Sequence, residues 1–432
     1  MRATIFTFFL AFLISTQLFS QKLSRTEKKI IASVEQNNQD ALAFLEQVVN
    51  INSGTLNAKG VREVGQVFSD AFEDVGFDAR WIEMPEEMNR AGHLFAETSG
   101  NKGKKLLLIG HLDTVFEEDS PFQKFERIND SIAHAPGGND MKGGNVVVLY
   151  ALKALHENGL LNDAQITVAF TGDEESTGKP LDISRKDLIE AAQRSDVALG
   201  FETSTGFNYA TVARRGASGW AVEVEGKRAH SSGVFSERVG AGAIFELSRI
   251  LHQFYTDVKG EELLTFNPGV LLGGTFVDFD PKTSKGEVFG KGNVVAQKAM
   301  ARGGLRFISE EQKERAREKM REIVTDNLPK TTAAISFTDS YPAMQPTDGN
   351  MALLNTLNQV SNDLGQGDVL PYDPGKRGAA DVSFVAEYVD CLDGLGTMGS
   401  GAHTPEETVN LKTFEALTKR TAVLIYRLIN QR

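Results

Sequence analysis

At 432 residues, with 41% hydrophobic and 24% charged side chains, the chain has a soluble globular composition and is too long for one ordinary core. Its formal net charge of −12 comes without a basic stripe, which argues against a nucleic-acid partner. The only cysteine, Cys391, excludes an intrachain disulfide.

In chain order, Arg2 precedes an apolar run from Ile5 to Ile14, followed by Ser15, Thr16 and Gln17. That is the shape of a secretory signal peptide, and it predicts a periplasmic or secreted protein whose residues 1–20 are removed. No cysteine follows to take a lipid, so no membrane anchor is expected after removal. A helix is predicted from about Glu27 to Val49, where Ile30, Ile31, Val34, Ala41, Leu42, Leu45, Val48 and Val49 recur mostly at three- and four-residue steps. Strands then alternate with helices. Leu106 to Ile109 reads as a strand ending at Gly110-His111, Asn145 to His156 as a helix, Ile166 to Phe170 as a strand, and Val197 to Phe201 as another. Strands apolar on both faces and separated by helices predict an α/β fold with a largely parallel, covered sheet.

Near Arg214 the pattern changes. Trp220 to Val224 alternates with period two, Val239 to Phe254 carries one helical face, alternation returns around Arg306, and a charged helix spans about Glu310 to Asn327. This predicts a small α+β unit, residues 214–340, inserted between two parts of a first domain, 21–213 and 341–432. After it come a helix around Met351 to Leu364, a strand at Val389 to Leu392 holding Cys391 as a buried residue, and an amphipathic helix from Leu411 to Ile429.

The acids and histidines fall at the strand ends. His111 and Asp113 follow one core strand, Asp140 opens a helix, Glu174 and Glu175 follow the next strand, Glu202 ends another, and His403 follows the last. Open α/β sheets bind ligands outside the carboxyl ends of their strands, so these seven residues are expected at one edge. So many carboxylates in one cleft need cations between them, because desolvating each costs several kcal/mol and repulsion adds to it. Imidazole and carboxylate without thiolate suit zinc, cobalt or manganese, with zinc the default for hydrolysis.

The segments Gly110-His111-Leu112-Asp113-Thr114-Val115, Asn139-Asp140-Met141-Lys142-Gly143-Gly144, Asp173-Glu174-Glu175, Phe201-Glu202 and Gly401-Ala402-His403-Thr404 together resemble those of the M20 metallopeptidases. That group holds glutamate carboxypeptidases, aminoacylases, succinyl-diaminopimelate desuccinylases and di-zinc dipeptidases. The resemblance covers nearly the whole mature chain. It implies a zinc-exopeptidase-like catalytic domain and hydrolysis of a small peptide or N-acyl amino acid, carboxypeptidase-like by first choice. It implies two zinc ions bridged by Asp140, with His111 and Glu202 completing one site and Glu175 and His403 the other. Glu174 would be the general base for a water held between the metals, and Asp113 would accept the second N–H of His111. The inserted unit would be a lid and the interface of a homodimer. His230, in Gly226-Lys227-Arg228-Ala229-His230-Ser231, would stabilise the oxyanion in the partner's site. Asn293 and Arg306 would hold the substrate's carbonyl and carboxylate, and Gly378 would line the substrate end of the cleft. Where glutamate-releasing relatives carry a second arginine, this chain has Asp339-Ser340-Tyr341-Pro342, which predicts a broader or more neutral terminal residue. The alternative readings are an aminoacylase or dipeptidase, and an inactive exported peptide- or metal-binding protein.

Overall fold

The computed structural model describes residues 23–431; the expected signal segment lies outside the described residues. Helix α1 (Arg25–Val49) begins with a capping box, in which the Ser24 hydroxyl accepts from the Glu27 N–H and the Glu27 carboxylate accepts from the Ser24 N–H. It buries the apolar stripe from Ile30 to Val49 that its periodicity predicts. A second helix, α2 (Ala58–Asp74), buries Val61, Val64, Phe68 and Phe72, and was not anticipated from sequence.

The main sheet takes β1 (Asp78–Ile82), β2 (His93–Glu97), β3 (Lys102–His111), β4 (Ala164–Thr171), β5 (Val197–Gly200) and the late strand Asp390–Leu392. Their spatial order is β1-β2-β4-β3-β5 and then the late strand. Pairings among β4, β3, β5 and the late strand are parallel, whereas β1–β2 and β2–β4 are antiparallel. The sheet is therefore mixed, with a parallel majority and one antiparallel flank. Alternate residues of β3 feed different cores: Leu106 and Leu108 pack toward α1, helix α3 (Gly143–Glu157) and the C-terminal helix Leu411–Ile429, while Leu107 and Ile109 pack toward Leu188, Ala191 and Val385. Both faces are covered, which is why β3 reads as a continuous apolar run. Cys391 is buried and unpaired in the late strand. No helix among the described residues is long and apolar enough to cross a membrane.

The insertion forms a separate four-stranded antiparallel sheet from β6 (Gly216–Glu225), β7 (Thr265–Gly274), β8 (Lys298–Phe307) and β9 (Thr332–Asp339), in the order β7-β8-β6-β9. One face buries Trp220, Val222, Val224, Leu305 and Phe307 against helices Ala243–Gln253 and Glu310–Thr325. The chain enters and leaves this unit side by side: the Arg214 N–H donates to the Met344 carbonyl at 2.8 Å, and the Met344 N–H returns to Arg214 at 3.0 Å. An exposed hairpin, Phe276–Asp280 paired with Lys285–Phe289, projects from the unit and has no counterpart in the sequence reading.

Candidate metal centre

His111 ends β3 and Thr171 ends the neighbouring β4 in register with it, so the residues that follow both strands leave the sheet at one edge. There His111 Nε2 lies 3.3 Å from Asp140 Oδ1 and 3.6 Å from Glu202 Oε1. On the other side His403 Nε2 lies 3.1 Å from Asp140 Oδ2 and 3.2 Å from Glu175 Oε2. The two oxygens of Asp140 thus face two different ligand sets. Ligand atoms about 2.0–2.1 Å from a tetrahedral zinc stand roughly 3.3 Å apart, so these spacings fit one ion in each set. Both triads, His111–Asp140–Glu202 and Asp140–Glu175–His403, have ligand atoms within 4.8 Å of one another. Glu175 Oε1 is buried without a hydrogen-bond partner, an acceptor left open on the cluster. Donor types, spacing and the open lone pair all fit a pair of divalent cations. Glu174 also comes within reach of His111 and Glu175, adjacent to both sets.

The electrostatics describe a cluster that holds protons where cations would sit. Hydrogen bonds to Asp140 and Glu175 push His403 up to about 11. Burial opposes the charged form of His111, yet Asp113, Asp140, Glu174 and Glu202 carry its pKa well above the usual imidazole range. Burial and the Asp140 charge raise Glu202 to about 7. Burial raises Glu174 well above the carboxylate range, with Glu202, Asp381 and Glu175 adding to it. For Asp140, the His111 and His403 bonds outweigh burial and hold the carboxyl below its ordinary value.

Local sequence explains why Asp140 is so placed. Gly137 turns the chain at φ +63, and a Cβ there would lie 2.1 Å from Thr114 Cγ2. Gly144 opens α3 against the ligand strand, where a Cβ would lie 2.1 Å from the Phe201 carbonyl oxygen. The Glu407 carboxylate then accepts from three successive parts of the loop: the N–H groups of Gly137 at 3.3 Å, Asn139 at 2.8 Å and Asp140 at 3.1 Å. Burial raises Glu407 to about 7, with those backbone bonds pulling against it.

Asp113 meets His111 at two points: its main-chain carbonyl lies 3.0 Å from His111 Nδ1 and its carboxylate 3.4 Å. The carboxylate also accepts from the Glu174 N–H at 3.0 Å, the Glu175 N–H at 3.1 Å and the Thr55 hydroxyl at 2.6 Å. It pins the turn that carries the two glutamates. From the other side the Tyr341 hydroxyl donates to the Glu174 carbonyl at 2.6 Å, so it is already committed. Beneath this turn lies a buried ion network that sequence reasoning missed: Arg185 bridges Asp173 at 2.5 Å and Asp381 at 2.8 Å, and Asp381 accepts from Thr171 at 2.5 Å. His93, for which the sequence offered no role, accepts the Gly172 N–H on Nδ1 at 3.1 Å and faces the Ser184 carbonyl at 2.8 Å.

Three of the remaining predicted residues, His230, Asn293 and Arg306, belong to the inserted unit. His230 is exposed, its Nδ1 2.9 Å from the Ser232 hydroxyl. Asn293 is its neighbour, accepting the Ser231 N–H at 2.9 Å on its main-chain oxygen. Arg306 is exposed on β8 opposite Ala217 and Thr265. Gly378 is tied to the catalytic unit through its carbonyl, which accepts from Arg214 Nη1 at 2.8 Å. His134 pairs in a short strand against Thr408, while His156 and His252 are exposed on helices.

Residues 107–427 match the model of peptidase family M20/M25/M40. The chain is 27% identical over 370 residues to carboxypeptidase G2 of Pseudomonas sp. (strain RS-16), covering 83% of this chain and 82% of that one. Its fold is similar to that of aminopeptidase PepT from Bacillus cereus ATCC 10987, with a TM-score of 0.71 at 18% identity, over 91% of this chain and 99% of that one. It is also similar to the Bacillus subtilis YXEP protein, a dinuclear metal binding peptidase, with a TM-score of 0.63 at 12% identity, over 92% and 99% of the two chains.

Proposed function

The chain belongs to peptidase family M20/M25/M40 and is a metal-dependent hydrolase of that family; from that premise we propose that it is a di-zinc amidohydrolase of carboxypeptidase type. Its substrate is a small peptide or N-acyl amino acid, cut at the amide next to a free carboxylate. The observation that carries this reading is the sharing of Asp140 between two ligand triads, with Glu174 beside both. His111, Asp140 and Glu202 would hold one zinc, and Asp140, Glu175 and His403 the other. When bound, the pair supplies Lewis acidity at the scissile carbonyl and makes water acidic enough to attack near neutral pH.

The protein's own contribution centres on Glu174. Its N–H is held by Asp113 and its carbonyl by Tyr341, which leaves the carboxylate as the part free to move a proton. A carboxyl group raised by burial and by neighbouring carboxylates accepts a proton from water and returns it to the leaving amine near neutral pH. Arg306 suits the substrate's carboxylate because its fork meets two oxygens at once, and Asn293 suits the carbonyl. His230 reaches the oxyanion from a second copy of the chain. The exposed aromatic side chains of the inserted unit support that dimer: Phe235 is 70% and Phe245 is 55% exposed, their rings 5.5 Å apart. Residues 1–20 support export to the periplasm or beyond.

Metal analysis of the purified chain, combined with N-acyl amino acids and their amide-capped counterparts, tests the proposal. Two zinc ions per chain and cleavage confined to the free acids are expected. Equal cleavage of the capped substrates would remove the carboxypeptidase reading.

A further inference from the structure

One half-buried cation near the centre has no role in the mechanism above. Arg377 follows the short turn Pro374–Lys376 and immediately precedes Gly378. Its Nη2 donates to the Thr203 carbonyl at 3.2 Å, and Thr203 is the residue after Glu202. The Thr203 hydroxyl in turn reaches the carbonyl of Asn139, the residue before Asp140, at 3.4 Å. The Arg377 guanidinium therefore lies against the segment that delivers Glu202, which Thr203 ties to the segment that delivers Asp140. Its loop is held in place: Arg214 Nη1 donates to the Gly378 carbonyl at 2.8 Å, and Arg214 Nε pairs with Asp393 at 2.5 Å.

A guanidinium carries five N–H donors. Among the described residues Arg377 uses one, on a neutral carbonyl, and its Nε is buried with no partner. Asp393 pairs through Oδ2 with Arg214, and among the described residues neither of its oxygens bonds Arg377. Burial and the Arg214 charge disfavour the charged form of Arg377 and outweigh the support of Asp393, Glu202 and Asp140; divalent cations in the adjacent triads would offset the latter two. A cation kept under-bonded at the wall of a binding cleft is costly unless an anion completes it.

We propose that Arg377 is a specificity-determining residue that binds a second carboxylate of the substrate, distinct from the one beside the scissile amide. The inference rests on the amidohydrolase reading and deepens it. Tyr341 is spent on the Glu174 carbonyl, and the stretch Asp339-Ser340-Tyr341-Pro342 provides no cation; Arg377 supplies one from the catalytic unit instead. The expectation of a broader or more neutral terminal residue is thereby extended to a dianionic substrate. The second carboxylate belongs either to the side chain of the released amino acid or to the acyl group.

Two matched pairs of substrates, with the metal-loaded full chain, separate these sources: N-benzoyl-glutamate against N-benzoyl-glutamine, and N-succinyl-leucine against N-succinamoyl-leucine. In one pair the acid is expected to exceed its amide in kcat/KM by about tenfold or more, mainly through KM. Arg377→Gln should bring that ratio close to one, and Arg377→Lys should keep part of it. A ratio near one in both pairs with the unaltered chain, or a preference that survives Arg377→Gln, overturns the proposal. If Arg377→Gln fails to fold, Arg377→Lys and the unaltered chain still decide by the same ratios. If none of the four is cleaved, the amidohydrolase reading falls separately. Calorimetric titration with succinate and succinamate then reads the site without turnover: preference for succinate that is weakened in Arg377→Lys supports it, and equal binding overturns it.

Discussion

The two units of this chain hold their polar side chains in opposite ways. At the strand ends of the main sheet, Glu407 accepts three N–H groups, Asp113 accepts two N–H groups and a hydroxyl, and Arg185 ties Asp173 to Asp381. In the inserted unit, His230, Asn293 and Arg306 stand exposed on the surface of a small sheet and its adjoining loops. The first arrangement fixes atoms before any ligand arrives, which is what metal coordination requires. The second leaves side chains open to partners from outside, in the proposed reading a substrate or another copy of the chain. The proposed metal ligands and the proposed residues of the inserted unit are thus held differently, and variants of each should fail differently.

The sharpest separation is expected at Glu174. Glu174→Gln should lower kcat by about 10²–10⁴-fold while two metal ions per chain remain, measured by turnover and metal analysis on the same preparation. Retained activity would place the proton-transfer group elsewhere. Glu407→Gln should weaken metal affinity by about 10–100-fold, seen by competition with a chelating dye, with kcat at saturating metal changed far less. Equal affinity would mean that the loop holds Asp140 without its carboxylate clamp. Arg306→Met should raise KM about tenfold with metal affinity unaltered; a change in metal affinity would break the division between the units.

A further expected effect is on pH. Without metal, His403 holds its proton up to about 11 and Glu202 up to about 7. Loading expels these protons, so metal affinity should rise with pH, at most about tenfold per unit for each proton released. Titrations at pH about 6 and about 8 check the sign; a flat profile would show that no ligand proton leaves in that range.

Much of the catalytic unit was legible because its signals are local. The run Leu106 to Ile109 is apolar on both faces because both are buried, and the C-terminal helix spans Leu411–Ile429 as its periodicity indicates. The five proposed ligands lie together because each sits just beyond an element whose end the sequence marks. What stayed hidden depends on distance along the chain. Arg185 finds Asp381 across 196 positions, and Glu407 finds Asp140 across 267, with no local pattern to announce either. The hairpin Phe276–Phe289 was missed because both strands are largely exposed, so neither face carries a core stripe.

Tyr341 lies where the chain returns from the inserted unit, beside the backbone bond between Ala217 and Tyr341 at 2.8 Å, and its ring rests on Phe384. The hydroxyl that grips the Glu174 peptide is therefore mounted on the crossing itself. Swinging the outer unit would twist a lever whose short arm ends at the proposed general base. If substrate docks on that unit as proposed, alignment of the base and docking would become a single mechanical event, and a loosened crossing would slow turnover without touching any proposed ligand of the metals.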